Sequence, residues 1–151
     1  MIQITKSKID TQQVIDSVGT PESGGINVFI GTTRNHSHGK PVTGLEYEAY
    51  EPMALKMMER LVQQAGETWN IKASIVHRIG SVPIGEASVV IAVASAHRDE
   101  AFKACRFLID ELKRAVPIWK REYFKDGTVE WSRQSHEQAD EQTDEQVTSK
   151  S

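Results

Sequence analysis

The sequence predicts an α+β domain in which helices pack on a mixed sheet. Short apolar or alternating segments of strand character are interspersed with two long segments whose apolar residues recur at helical spacing. Their order is β-α-β-β-α-β-β-α-β, and the paired strands between helices are typical of an α+β domain. A chain of 151 residues suits one such domain, because two would each have a marginal core.

The first elements are predicted from local signals. Residues 3–5 form a short strand, and Asp10 with Gln13 three residues later resembles a capping box. This box predicts a helix through Val18, which Gly19 ends. Residues 26–33 read as a strand with a buried run at 28–30, and the polar residues 34–41 as a loop.

Alternation and helical spacing predict the middle of the chain. Residues 43–50 alternate as a strand, with Leu45, Tyr47 and Ala49 on one face. A helix follows from Pro52, which suits a first turn. Its apolar stripe is Leu55, Met58, Leu61, Val62, Ala65 and Trp69. Residues 73–79 and 88–94 then read as two strands separated by a turn at 80–85.

A second amphipathic helix is predicted over residues 98–114. Its core stripe is Ala101, Cys105, Leu108 and Leu112. Pro117 ends this helix, residues 118–124 look extended, and 128–132 form one more short strand. The domain therefore covers residues 1–132. Residues 133–151 are an acidic tail with only two apolar residues, which predicts disorder.

Composition excludes several classes of protein. No apolar run approaches the roughly 20 residues that span a bilayer, so no membrane association is expected. The N-terminus lacks the apolar core of a secretory signal. Cys105 is the only cysteine, which excludes a disulfide framework within the chain and favours the cytoplasm.

Four segments of the sequence carry residue types that can bind anions or take part in catalysis. Thr32, Thr33 and Arg34 end a strand, where Arg34 can hold a phosphate or carboxylate or remain a solvated loop residue. His97 and Arg98 open a helix, where they face an anion or a nearby acid. Lys113 ends that helix, a favourable place for any cation.

The fourth place is the extended segment that carries Lys120, Arg121 and Glu122 after Trp119. Arg121 and Lys113 are expected beside Lys120, and their positive fields favour its neutral, nucleophilic amine. An exposed edge strand protected by lysine is the structural alternative. Cys105 falls in the apolar stripe of its helix and is interpreted as a core residue.

The paired histidines His36 and His38 raise the question of a metal site. Only His77 and His97 are expected nearby as further ligands, and no carboxylate or cysteine has a ligand spacing. A polar turn is therefore favoured, and no metal is expected. The residues alone leave three functions open: an enzyme for a phosphorylated metabolite, a nucleic-acid binder, or a docking module for an acidic peptide.

Four motifs together resemble the MoaE family, the large catalytic subunits of molybdopterin synthase, from about Gly24 to Trp131. The motifs are Gly31-Thr32-Thr33-Arg34-Asn35-His36, His77-Arg78-Ile79-Gly80, Ser95-Ala96-His97-Arg98 and Pro117-Ile118-Trp119-Lys120-Arg121-Glu122. Thr33 departs from the valine that many relatives carry, but both residues are β-branched.

The resemblance implies an α/β hammerhead fold, a homodimer and a heterotetramer with a small ubiquitin-like, MoaD-like sulfur carrier. The carrier's Gly-Gly tail ends in a thiocarboxylate, whose sulfur is transferred to cyclic pyranopterin monophosphate to form the dithiolene of molybdopterin. The alternative is a non-catalytic docking module for the carrier. No cofactor, no metal and no nucleic acid are implied.

The resemblance also implies the site residues. Lys120 and Lys113 are the expected catalytic residues. The expected substrate-binding residues are Thr32, Thr33, Arg34, His97, Arg98, Lys113, Lys120, Arg121 and Glu122. An anionic substrate and an anionic carrier tail are both consistent with this cationic set.

Overall fold

A computed structural model describes residues 1–133 and gives an α+β fold, as the sequence predicts. The strands are β1 (Ile2–Thr5), β2 (Gly25–Thr32), β3 (His36–Ser37), β4 (Lys40–Ala49), β5 (Lys72–Arg78), β6 (Gly80–Val82), β7 (Ala87–Ser95), β8 (Ile118–Phe124) and β9 (Val129–Arg133). The helices are α1 (Thr11–Asp16), α2 (Glu51–Trp69) and α3 (Arg98–Ala115). No helix among the described residues is long and apolar enough to cross a membrane.

The strands form two sheets. The first is mixed, with the order β1-β5-β7-β2, and only its β1–β5 pair is parallel. The second has the order β3-β4-β8-β9, with β6 also paired to β4, and all its pairs are antiparallel. The second sheet did not follow from the sequence, which indicated a single mixed sheet.

The main core lies on one face of the first sheet. There α2 packs on β1 and β5, and α3 packs on β7 and β2. The predicted stripe of α3 is buried along its length, and the buried side chains of β4 and β8 join the same core. On the other face α1 covers a smaller cluster that includes Val14 and Val18. Asp10 caps α1 by accepting a hydrogen bond from the Gln13 N–H, as the capping box predicts, although the helix ends at Asp16.

Three sequence expectations about strands were wrong. The run at 28–30 is not buried, because β2 is an edge strand: Val28 and Phe29 are half-buried and Ile30 is 43% exposed. The segment 80–85 is not only a turn, because β6 occupies its first half and pairs with β4. The predicted loop at 34–41 contains the two-residue strand β3. The acidic tail beyond Arg133 lies outside the described residues.

Gly24 should be indispensable at the junction that precedes His97. A Cβ at Gly24 would lie 2.2 Å from the backbone oxygen of Ala96, a contact that no side-chain movement can relieve. We expect Gly24→Ala to lower the free energy of unfolding by about 1–3 kcal/mol, the usual cost of overpacking. Urea denaturation of the purified protein measures this loss.

Gly44→Ala is the matched control, because a Cβ there meets no atom within 4 Å. A Gly24→Ala protein as stable as the wild type would contradict the tight junction.

Candidate functional site

Strand β8 places Lys120 and Glu122 together on its buried face. Side chains alternate across a strand, so residues two apart share a face. Lys120 is 6% exposed and Glu122 is 3% exposed, between the buried Ile118 and Phe124. The Lys120 Nζ lies 3.6 Å from Glu122 Oε1, which makes a buried ion pair.

A small cavity of about 40 Å³ opens beside this pair. The side chains that line it come from β2 and its following loop, from β3, β4 and β8. They are Thr32, Thr33, Arg34, His36, Ser37, Leu45, Tyr47, Lys120 and Glu122. Residues from two of the four predicted sites, residues 32–34 and strand β8, therefore line the same cavity.

The register of the second sheet builds the floor of this cavity. Tyr47 lies directly opposite Lys120 across the β4–β8 pair, and Leu45 lies opposite Glu122. The Tyr47 ring meets the buried His77 ring edge-on, with 5.1 Å between centroids. Sequence reasoning did not select Tyr47 for the site, although the predicted alternation of β4 put it on the same face as Leu45.

Arg121 lies on the opposite face of β8 from Lys120. Its guanidinium stacks over the Trp131 ring at 4.0 Å from the centroid and donates a hydrogen bond to the Tyr123 hydroxyl. That hydroxyl in turn donates to Glu46 Oε2 at 2.8 Å. The structure therefore does not bring Arg121 into the cavity beside Lys120. Glu122, which the sequence selected as a substrate-binding residue, forms an ion pair with Lys120 that the sequence analysis did not predict.

Lys113 lies at the same end of the first sheet as the cavity. The Gly25 end of β2 lies against Arg98, the first residue of α3, and Cys105 lies against Phe29 farther along the strand. Helix α3 therefore runs parallel to β2. Its last turn, which carries Lys113, consequently reaches the Thr32 end of that strand.

His97 and Arg98 lie at the other end of the first sheet. They follow β7 and sit next to Gly25, whereas Arg34 follows the far end of β2. Eight residues of strand separate the two ends by roughly 24 Å, at about 3.4 Å per residue. One chain therefore cannot close Arg34, His97 and Arg98 around one small anion.

The described residues contain no group of three or more His, Cys, Asp or Glu side chains arranged to hold a metal ion. His36 and His38 lie on and beside the short strand β3, where the His36 Nδ1 contacts the Asn35 side chain. His77, considered above as a further ligand, is fully buried with its Nδ1 2.8 Å from the Arg78 carbonyl oxygen.

Cys105 lies outside the cavity, in the core between α3 and β2. Burial raises the pKa of its thiol to about 11, while a hydrogen bond with the Phe29 backbone opposes that shift. The thiol therefore stays protonated near neutral pH, and a thiol is a poor nucleophile. Any sulfur handled at the cavity must come from another molecule.

Comparisons with known proteins agree on one family. The family model described as MoaE protein matches residues 4–115. The chain is 48% identical to the molybdopterin synthase catalytic subunit of Arabidopsis thaliana, over 85% of this chain and 65% of that protein. It is also 48% identical to the Bacillus subtilis protein of the same description, over 83% of this chain and 80% of that protein.

A solved structure supports the fold independently. The crystal structure of molybdopterin synthase from Staphylococcus aureus superposes with a TM-score of 0.82 and 38% sequence identity. The match covers 85% of this chain and 94% of that one.

The raised pKa of Cys105 predicts slow thiol chemistry in the folded protein. At pH 8 a thiol with a pKa near 11 is about 0.1% thiolate, and burial adds a steric barrier. We expect a thiol-reactive chromophore to label Cys105 at least about 100-fold more slowly in the native protein than in urea. Stopped-flow absorbance measures both rates, and similar rates would show that the thiol is accessible.

Proposed function

The chain belongs to the MoaE family, and from that premise we propose that it is the catalytic subunit of a molybdopterin synthase. It is a sulfurtransferase that takes sulfur from the C-terminal thiocarboxylate of a small ubiquitin-like carrier. The acceptor is cyclic pyranopterin monophosphate, which gains the two sulfurs of the molybdopterin dithiolene. The observation that carries the proposal is the buried Lys120 beside a narrow cavity that Arg34 also lines.

The cavity's size favours a glycine-ended tail. A volume of about 40 Å³ is far below the roughly 300–1,000 Å³ of typical small-molecule sites. A chain end without side chains is the protein segment that fits such a space best. An extended Gly-Gly tail would therefore bring its thiocarboxylate to Lys120, while the larger pterin remains outside the narrow part.

The residues at the cavity suit the charges of both reactants. The thiocarboxylate and the substrate phosphate are anions, and Lys120, Lys113 and Arg34 are cations at this end of the sheet. In each transfer the thiocarboxylate sulfur bonds to a substrate carbon while a C–O bond at that carbon breaks, with the oxygen leaving as water or staying on the phosphate. Water then cleaves the acyl–sulfur bond, so the sulfur stays on the substrate and the carrier leaves as a carboxylate. Lys120 Nζ is the group placed to hold or move a proton during these steps, with Glu122 fixing its position.

The distance between Arg34 at one end of β2 and the His97–Arg98 pair at the other supports a homodimer. Strand β2 is an edge of the first sheet, and its Ile26 and Ile30 are 46% and 43% exposed. Antiparallel pairing of two such edges would set the Arg34 end of one copy beside the His97 and Arg98 end of the other. We assign the phosphate clamp to Arg34 of one copy with His97 and Arg98 of its partner.

The complete assembly in this proposal is a heterotetramer of two catalytic subunits and two carriers. Its location is the cytoplasm, which the single buried cysteine favours. Residues 1–132 supply the catalytic domain, and the acidic segment 133–151 has no catalytic role in the proposal.

Reconstitution with thiocarboxylated carrier and the pyranopterin substrate tests the proposal. We expect Lys120→Ala to lower turnover at least about 100-fold, the scale of a lost proton-transfer group, while carrier binding stays measurable. Lys120→Arg should not restore turnover, because a guanidinium is not deprotonated in proteins and therefore cannot pass on a proton. Lys113→Ala should weaken both substrate binding and turnover.

Lys56→Ala is the matched control, since this lysine is exposed on α2 and does not line the cavity. Near-normal turnover of Lys120→Arg would reduce Lys120 to an electrostatic anchor. A wild-type protein that forms no molybdopterin with both substrates present would refute the proposed function itself.

A further inference from the structure

The proposed mechanism gives no role to Arg78, although it belongs to one of the four sequence motifs. We propose that Arg78 and Glu86 form a brace, buried at its Arg78 end, that holds the site loop, residues 32–34, and that Arg78 is thereby a positioning residue. This inference rests on the proposed function for its catalytic consequence, but the brace itself is a structural claim that can be tested separately.

The backbone of Thr33 ties the site loop to a neighbouring turn. Its N–H donates to the Glu86 carbonyl oxygen at 3.1 Å, and its own carbonyl oxygen accepts from the Gly85 N–H at 2.9 Å. Both backbone groups of Thr33 are therefore bound to the turn at residues 83–86. Thr33 is buried and directly precedes the exposed Arg34, so the place of this turn sets the place of Arg34.

The turn has little packing of its own. It closes with one hydrogen bond, from the Glu86 N–H to the Pro83 carbonyl oxygen at 3.1 Å, and Gly85 has a φ of 84°. Pro83, Ile84 and Gly85 are all exposed, whereas Glu86 is half-buried. A turn with so few apolar contacts is a low-stability segment unless a side chain ties it to the core. Glu86 is the residue that does so.

The tie runs from Glu86 to Arg78. Arg78 Nη1 lies 3.6 Å from Glu86 Oε2, and the Arg78 side chain is only 11% exposed. Arg78 ends β5, an inner strand of the first sheet, where it pairs with Thr5 of β1. The next residue, Ile79, donates its N–H to the Thr5 carbonyl oxygen at 2.8 Å. Arg78 therefore anchors one end of the brace in an inner strand of the first sheet.

Stability alone is a weak reason for a buried arginine here. Within the described part of the chain, Arg78 Nε and Nη1 have no hydrogen-bond partner, so the guanidinium is incompletely compensated for its desolvation. Replacing a buried ion pair by apolar residues is often neutral or stabilising. An ion pair that holds the turn against the first sheet gives Arg78 a function that an apolar residue could not supply.

Lys8 offers a natural control for charge alone. Its Nζ lies 3.8 Å from Glu86 Oε1, but its side chain is 77% exposed, so solvent screens the pair. Lys8→Met removes one cation from Glu86 without removing the buried end of the brace. Of these two cations, only the loss of Arg78 should therefore release the turn.

The first measurement is amide hydrogen exchange of the wild-type chain and of Arg78→Met, at Thr33 and Gly85. We expect exchange of both amides to become about tenfold faster or more in Arg78→Met, and to stay unchanged in Lys8→Met. Glu86→Gln should match Arg78→Met, and the double variant should add nothing, because both changes break the same contact. Unchanged exchange in Arg78→Met would overturn the brace whatever the protein's function.

The second measurement is steady-state turnover with carrier and pyranopterin substrate. Misplacement of Arg34, which the proposed function puts at the substrate phosphate, should raise KM for the pterin about tenfold, with partial rescue in Arg78→Lys. Val14→Ala, a core deletion under α1, controls for lost stability. Faster exchange without a change in KM would overturn the positioning role, as would the same KM change in Val14→Ala. An inactive wild type would refute the proposed function, and the exchange data would then decide the brace alone.

Discussion

The buried ion pair between Lys120 and Glu122 is the constraint around which the second sheet is arranged. Burying an unpaired lysine is expensive, and the carboxylate two residues along the same strand compensates its charge at 3.6 Å. The alternation of β8 supplies this arrangement directly, since Ile118 and Phe124 on either side keep that face in the core. Strand β4 then covers the pair with Tyr47 and Leu45, which leaves only a narrow opening.

The length of the first sheet sets a second constraint. Helix α3 begins beside Gly25 and returns along β2, so one helix carries Arg98 at one end of the sheet and Lys113 at the other. A single chain therefore carries one cationic cluster at each end of the first sheet, and the two clusters cannot contact the same small ligand. The free edge of β2, which no second strand of residues 1–133 pairs, lies between them with Ile26 and Ile30 exposed. A second copy across that edge would join the two clusters and cover apolar surface in the same step.

The elements predicted most accurately from the sequence are those that a local signal determines. The capping box of α1 and the apolar stripe of α3 follow from spacing alone, and both are present. The burial of β2 could not be predicted, because an apolar run does not show whether a strand is central or at an edge. The short strand β6 was missed because its pairing with β4 is a long-range contact.

The site was predicted less evenly than the fold. The resemblance selected Lys120, Arg121 and Glu122 as a group, yet strand alternation places Arg121 on the other face from its two neighbours. That separation was available from the period of two in the sequence. The compensation of Lys120 by Glu122 follows from the same period. The distance from Arg34 to Arg98 was not available, since it depends on the long-range antiparallel pairing of β2 with β7.

Hybrid dimers test the shared site most directly. An Arg34→Ala copy and an Arg98→Ala copy, each with its own affinity tag, are co-expressed, and the hybrid is isolated by two successive purifications. Each variant alone should be nearly inactive. In the hybrid, one of two symmetric sites would keep both arginines, so the account predicts about half of wild-type turnover. A hybrid no more active than its parents would contradict the account, because it would place both arginines of each site on the same chain.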